Sequence, residues 1–342
     1  MKDIKDLTLK ELEKAVVDLE QERFHARQVY AWVYKKGVAD FSAMSNLSAG
    51  LRNALRKKFF IRSLSLVRKL QSVDGTQKLL LELKDSKFIE AVIIPVENRV
   101  TGCISSQAGC RFACGFCASG MQGLKRNLTT GEIIEEVLLI KNNSQGNKLT
   151  HLVFMGTGEP LDNYDNLLKA IRIINSPEGL NIGARRITIS TCGIIPGIQR
   201  LSQEGIQVEL SVSLHAADDK TRSQVMPVNK IYPLNELLAT CRRYTEKTNR
   251  QVTFEYILIK GINSNLQNAK SLGTILKGLN CKVNLIACNP ASNFKADPPG
   301  KLETLIFKDC LLKAGINVTL RKSRGSDIAA ACGQLRLRYE KA

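Results

Sequence analysis

The chain has no stretch approaching the roughly 20 consecutive apolar residues that a bilayer-spanning helix needs. Its opening residues, Met1-Lys2-Asp3-Ile4-Lys5-Asp6, carry no apolar signal core. No internal repeat or low-complexity segment stands out. A membrane span, a secretory route and a solenoid are therefore not expected, and the sequence reads as that of a cytoplasmic protein. Acidic residues are scarce: 32 Asp and Glu face 50 Lys and Arg, leaving a formal net charge of +18. Such an excess points to a polyanionic partner such as nucleic acid, or else to a generally basic surface. With 342 residues, 44% of them hydrophobic, there is material for one large α/β domain and a small appendage. The ten cysteines would be kept reduced in the cytosol, so any cluster of them signals metal or redox chemistry rather than a disulfide framework.

Residues 1–60 read as a small helical unit. Thr8-Leu9-Lys10-Glu11 has the form of a capping box, and Leu9, Leu12, Val16 and Leu19 recur along one helical face. Two further helical stretches run from Ala26 to Tyr34 and from Leu51 to Phe59. Basic residues there, among them Arg27, Lys36, Arg52 and Lys57, form either an RNA-facing surface or ordinary solvated helix faces. Residues 61–99 read as a β connector: Asp74-Gly75 is a hairpin turn between Leu66–Gln71 and Lys78–Leu83, followed by a strand from Phe88 to Ile94. Residues 100–336 alternate. Strand-like runs near 100–105, 151–155, 186–190, 208–214, 253–259 and 283–286 are separated by amphipathic segments near 130–142, 163–175, 196–204, 234–248, 265–278 and 301–314. The alternation predicts a parallel α/β sheet of about six β/α units, a partial (β/α)6 TIM-like barrel, with functional residues on the loops after the strands.

Cys110-Arg111-Phe112-Ala113-Cys114-Gly115-Phe116-Cys117 places three soft thiols on one short loop. Zinc is the competing occupant, but it usually takes four ligands in two separated pairs, and there is no second C-x2-C and no nearby histidine. The C-x3-C-x2-C run, with Phe116 before its last cysteine, resembles the radical S-adenosylmethionine (SAM) superfamily, in which this loop ligates a 4Fe-4S cluster and leaves one iron open. The resemblance implies Cys110, Cys114 and Cys117 as metal ligands and SAM as a cofactor. Gly156-Thr157-Gly158-Glu159-Pro160 follows the run Leu152 to Met155 and resembles the superfamily's GxGEP motif; alone, two glycines lacking a third at Rossmann spacing would be weak evidence. By resemblance Gly158 and Glu159 meet the amino group of SAM. By the same resemblance Ser190, Ser213, Leu214, His215 and Asn289 at further strand ends contact its ribose, carboxylate and adenine, although His215 taken alone fits a satisfied strand-end histidine equally well.

The segments Cys103 to Cys110, Gly123 to Leu128, Ser211 to Ala216 and Arg324 to Leu335 resemble the RlmN/Cfr family of radical SAM RNA methyltransferases. The likeness runs from the helical unit to nearly the last residue and implies methylation of adenine C2 in 23S rRNA and tRNA, with the related adenine-C8 activity as the alternative. C2 of adenine has no lone pair with which to attack a methyl group. The resemblance therefore implies Cys332 as a nucleophile that is methylated by one SAM and activated with a second, giving two SAM per turnover. It implies Cys103 as the resolving thiol that releases product through a transient disulfide with Cys332, and Glu90 as the proton acceptor. From its own surroundings Glu90 is either edge-exposed or placed in the core for proton transfer. An electron donor such as flavodoxin or ferredoxin is implied as a partner. A non-catalytic iron-sulfur RNA-binding protein is the rival from another class, and it would have no need of Cys103 and Cys332.

Overall fold

The structure is a computed structural model that describes residues 1–97, 99–121, 123–144, 148–288, 297–321 and 324–328. The N-terminal part holds strand β1 (Lys2–Asp3), helices α1 (Leu9–Val17), α2 (Phe24–Tyr30) and α3 (Ala49–Lys58), and strand β2 (Phe59–Phe60), which pairs with β1. The capping box forms as expected: the Thr8 hydroxyl accepts from Glu11 N–H, and Glu11 accepts from Thr8 N–H at 2.7 Å. The helical stretch expected over 26–34 is interrupted, because α2 passes into a π-turn over Ala31–Lys35.

Next come β3 (Leu64–Gln71), β4 (Gln77–Leu83), β5 (Phe88–Val96), β6 (Arg99–Cys103) and the small hairpin β7 (Gln107–Gly109) with β8 (Leu124–Asn127). Then α4 (Thr130–Asn143), β9 (Leu149–Phe154), α5 (Tyr164–Asn175), β10 (Ile187–Thr191), α6 (Ile195–Leu201), β11 (Glu209–Ser213), α7 (Asp219–Val225), α8 (Leu234–Thr248), β12 (Val252–Leu258), α9 (Leu266–Leu276), β13 (Cys281–Ala287), α10 (Lys301–Lys313) and β14 (Asn317–Arg321) follow.

Ten strands form one sheet in the order β14-β13-β12-β11-β10-β9-β6-β5-β4-β3. From β6 through β14 all neighbours are parallel, and β3, β4 and β5 extend the same sheet antiparallel. The α/β half-barrel is thus present with its six β/α units and one addition. The alternation in the sequence points no further than the helix near 301–314, whereas β14 follows it as a seventh parallel strand; Val318 and Leu320 are its only strong apolar signals.

Side chains alternate across each strand, and the two faces differ. Ile187, Ile189, Leu210, Val212, Phe254, Tyr256, Val283 and Leu285 are essentially fully buried in the main core. The opposite face carries a polar row. Ser211 Oγ donates to Glu255 Oε1 at 3.4 Å, Asn284 Nδ2 to Glu255 Oε2 at 2.9 Å, and Thr319 Oγ1 to Asn284 Oδ1 at 2.9 Å. A polar sheet face that stays partly buried belongs to a binding site rather than to a core.

The N-terminal part is anchored to α4 by buried charge. Lys5 Nζ, with no exposed surface, lies 2.8 Å from Asp3 Oδ1 and 3.1 Å from Glu135 Oε2. A side chain on Gly131 of α4 would place its Cβ 2.8 Å from Asp3 Cγ, so glycine allows the approach. Removing the cation strands two carboxylates in the interior. Lys5→Met is therefore expected to lower stability by roughly 3–5 kcal/mol, read from the urea unfolding midpoint. A loss below about 1 kcal/mol would mean that the network contributes little beyond what solvent would supply.

Candidate active site

The cysteine loop hangs from the β7–β8 hairpin, whose register pairs Gln107 with Asn127 and Gly109 with Leu124. Gly109 has φ +79°, and a Cβ there would lie 2.0 Å from the carbonyl oxygen of Gly123, so only glycine closes this turn. Within the loop Cys117 N–H donates to Cys114 O at 3.0 Å, and Gly115 N–H donates to Val225 O at the end of α7, also at 3.0 Å. Phe116 stands edge-on to His215 with ring centroids 4.7 Å apart. The three cysteine residues are each partly exposed. Burial pushes the Cys110 thiol up to about 12 and also raises Cys114 and Cys117; for Cys114 the neighbouring Cys117 and Cys110 add to the effect and the Arg222 cation opposes it. Among the described residues no three His, Cys, Asp or Glu side chains converge to hold a single metal ion.

The glycine loop after β9 lies against the segment that leads into the cysteines. A Cβ on Gly156 would come within 2.7 Å of the Ile104 backbone, and one on Gly158, at φ +103°, within 2.7 Å of Gln107 N. Thr157 O accepts from Ser106 N–H (2.9 Å) and Gln107 N–H (3.1 Å), and Thr157 N–H donates to Ser105 Oγ at 2.9 Å. Glu159 is 4% exposed. Its carboxylate accepts from Leu161 N–H at 3.0 Å and from Cys192 N–H at 2.7 Å, tying the glycine loop to the end of β10. Burial raises its pKa, opposed by these backbone donors.

Ser190, one residue before the end of β10, and Ser213, the last residue of β11, are half-buried on the polar face. Leu214 is fully buried with both backbone groups engaged: its N–H donates to Glu255 O (3.0 Å), and its carbonyl accepts from Arg222 Nε (3.2 Å). His215 takes the left-handed backbone region at φ +59°. Asn263 Nδ2 holds its carbonyl at 2.7 Å, and its Nδ1 accepts from Ile257 N–H at 3.0 Å. That acceptor role requires an unprotonated Nδ1, so the ring proton sits on Nε2 and is available as a donor. Burial, with Arg222 adding repulsion, lowers the His215 pKa to about 3.

Arg222 carries no signal in the sequence that would mark it. It is fully buried beneath the ends of β10 and β11 and donates to Cys192 O (2.8 Å), Ser213 O and Leu214 O (3.2 Å each), and Asn229 Oδ1 (2.8 Å). Among the described residues no carboxylate forms an ion pair with it. Cys192 is buried in this same frame. Neither role has a local signature, because each depends on strands far apart in the chain.

Glu90 is 3% exposed, which removes the edge-exposed alternative, and its Oε1 lies 3.4 Å from Lys78 Nζ. Its carbonyl accepts from Ser105 Oγ at 2.7 Å, two residues beyond Cys103. Burial pushes the half-buried Cys103 thiol up to about 12, with Arg321 and Lys78 pulling it down and Glu136 pushing it further up. Asn289 and Cys332 lie outside the described residues. Just upstream of Cys332, the β3–β4 turn grips the chain: Ser72 Oγ donates to Asp327 Oδ1 at 2.6 Å, and Gly325 N–H donates to Asp74 Oδ2 at 3.0 Å.

A loop presenting three soft thiols, a glycine loop locked beside it and a buried cation acting on one of the thiols form a donor set suited to an anionic iron-sulfur cluster. Residues 104–268 match the radical SAM superfamily. The class defined by fold and site is therefore that of radical SAM proteins. Residues 2–61 match the ribosomal RNA large subunit methyltransferase N-terminal domain. A probable dual-specificity RNA methyltransferase RlmN from Thermoanaerobacter sp. (strain X514) is 43% identical over 342 residues, covering 100% of this chain and 99% of that one. Its counterpart from Clostridium perfringens (strain SM101 / Type A) is 45% identical, covering 100% and 98%. The crystal structure of a radical SAM methyltransferase from Sphaerobacter thermophilus superposes with a TM-score of 0.95 at 44% identity, covering 98% and 99% of the two chains. This chain belongs to the RlmN family of radical SAM methyltransferases, and its cofactors are a 4Fe-4S cluster and SAM.

The state of His215 has a measurable consequence. Its folded value near 3 lies below the ordinary 6.5, so between these values the unfolded chain binds a proton that the folded chain refuses. Stability should rise with pH across that window and be lost as pH falls through it, by up to about 1.4 kcal/mol per pH unit. Urea unfolding at pH 7 and pH 5 should show wild type losing on the order of 1–2 kcal/mol more than His215→Gln. Equal losses would place a charged imidazole in the fold.

Proposed function

We propose that this chain transfers a methyl group from SAM to C2 of adenine in RNA, with 23S rRNA and tRNA as substrates. The observation that carries the reading is the full-length likeness, at 43–45% identity, to proteins named as dual-specificity RNA methyltransferases. The net charge of +18 suits a polyanionic substrate. The N-terminal helical unit, 1–60, is assigned to RNA contact, 61–99 to a connector and 100–336 to the catalytic core. A flavodoxin or ferredoxin would supply electrons in the cytoplasm.

Cys110, Cys114 and Cys117 would hold the cluster. Gly158, Glu159, Ser190, Ser213, Leu214, His215 and Asn289 would line the SAM site. Leu214 can contribute only through the backbone it shapes, since its side chain is fully buried. His215 would offer its Nε2–H as a neutral donor. When bound, cluster and SAM together supply the methyl group and the one-electron chemistry that an unreactive ring carbon requires.

The protein's own groups then act in turn. The sulfur of Cys332 accepts the methyl group and carries the carbon to the ring. Glu90 accepts the proton from the ring carbon, and its burial beside Lys78 suits a fixed acceptor. Cys103, as thiolate, attacks the sulfur of Cys332: the S–S bond forms as the S–C bond to the product breaks, the electron pair of that bond passes into the ring, and the former methylene carbon takes a proton from solvent to become the methyl group; the disulfide is reduced by two electrons before the next turnover. Its position at the end of β6, two residues before the serine that binds the Glu90 carbonyl, supports this role.

Anaerobically reconstituted protein, given methyl-labelled SAM and unmodified rRNA or tRNA, should yield labelled 2-methyladenosine on nucleoside mass spectrometry, and a Cys332→Ala variant should yield none. Labelled 8-methyladenosine would overturn the C2 assignment, and the absence of any labelled adenosine would overturn the methyltransferase reading.

A further inference from the structure

β4 and β5 are among the most apolar strands in the molecule: Leu79, Leu81, Ile89, Ala91 and Ile93 are at most 2% exposed. Their charged residues are Lys78, Glu82 and Glu90, and of these Lys78 and Glu90 are buried. Lys78 is 1% exposed and Glu90 3%, and they meet at 3.4 Å. A buried ion pair is rarely worth more than a well-packed apolar pair of the same volume, so stability alone does not account for it. Register explains where it points. Lys78 pairs with Val92, Val92 pairs with Cys103, and Glu90 precedes Val92 by two residues. Paired residues, and residues two apart on one strand, share a face, so Lys78, Glu90 and Cys103 project from the same side of the sheet.

Glu136, Glu159 and Glu255 form the contrast, whereas Glu132 and Glu135, also buried, are ion-paired to Arg126 and Lys5. Glu136 accepts from Ser105 N–H, Glu159 from Leu161 and Cys192 N–H, and Glu255 from Asn284. None forms an ion pair among the described residues, and burial raises the pKa of each, favouring the neutral acid. A neutral acid cannot take up a proton at its acidic oxygen. Glu90 differs in having an ammonium at its carboxylate.

We infer that Lys78 is a positioning residue for methyl transfer, holding Glu90 as an aimed carboxylate on the Cys103 face so that it can accept the ring proton. This rests on the reading of Glu90 as the proton acceptor. The proton passes from the ring carbon to a Glu90 oxygen and the C–H electron pair stays with the ring; Lys78 itself exchanges no proton with the substrate. Its charge also favours the thiolate of Cys103 in the same row.

The test uses cluster-loaded protein, unmodified tRNA transcript and labelled SAM. Three quantities are followed: S-methylation of Cys332 by peptide mass spectrometry, covalent RNA–protein adduct on denaturing gels, and free methylated nucleoside. Methylation of Cys332 precedes proton removal, so Lys78→Met should leave it within about threefold of wild type while release of free product falls at least about tenfold and the adduct accumulates, a general base being worth roughly 10²–10⁴-fold. Lys78→Arg keeps a cation and should restore release to within about threefold. The double variant Lys78→Met/Glu90→Gln, which leaves no lone buried charge, should fold as wild type and trap the adduct. Trapping by Glu90→Gln with normal release by Lys78→Met would overturn the role of Lys78 alone. Normal release by Glu90→Gln would overturn the proton-acceptor reading and the inference with it. Failure of Lys78→Arg to restore release, with Cys332 methylation equally impaired in both lysine variants, would mark Lys78 as structural.

Discussion

The close approach of two backbone segments organises this site. The Gly156–Gly158 loop after β9 packs so tightly on Ile104 to Gln107 that a single added methyl on either glycine would overlap main-chain atoms. The three hydrogen bonds of Thr157 to Ser105, Ser106 and Gln107 replace the β-ladder where the strands end. Ser105 extends the contact in two more directions, donating its hydroxyl to Glu90 O and its N–H to Glu136 on α4. The loop with three thiols, the glycine loop after β9 and the strand bearing Glu90 are therefore fixed relative to one another through one short stretch of chain. α4 also carries Glu135, paired with Lys5, so the N-terminal part is referenced to the same helix.

Buried charge is used selectively around this frame. Arg222 satisfies carbonyls at the ends of β10 and β11 and places a positive charge near Cys114, where electron-rich thiolates would gather. His215 is held neutral, with one ring nitrogen committed to Ile257 and the other left as a donor. The neutrality of His215 follows from desolvation, to which the Arg222 cation adds repulsion, whereas the Arg222 charge persists against desolvation.

Features set by neighbours along the chain are legible in the sequence alone. The Thr8–Glu11 capping box, the Asp74-Gly75 turn and the alternation of strands and helices from 100 onward all take their expected places, because caps, tight turns and periodicity are local. The C-x3-C-x2-C run is legible for the same reason. β14 is not, since Asn317-Val318-Thr319-Leu320-Arg321 carries two apolar residues and presents its polar ones to the Asn284 row. Nor are Arg222 and the Lys78–Glu90 pair. A lone charge inside an apolar strand is visible in sequence, but whether it is exposed or matched across the sheet is decided by register with another strand.

Under the proposed chemistry Cys103, at the end of β6, pairs with Cys332. Controlled oxidation of the cluster-loaded protein with a mild thiol oxidant, followed by non-reducing peptide mapping, measures that directly. A Cys103–Cys332 linked peptide should dominate over every other pairing of Cys332. Cys332 linked chiefly to another cysteine, with Cys103 recovered as free thiol, would contradict the account.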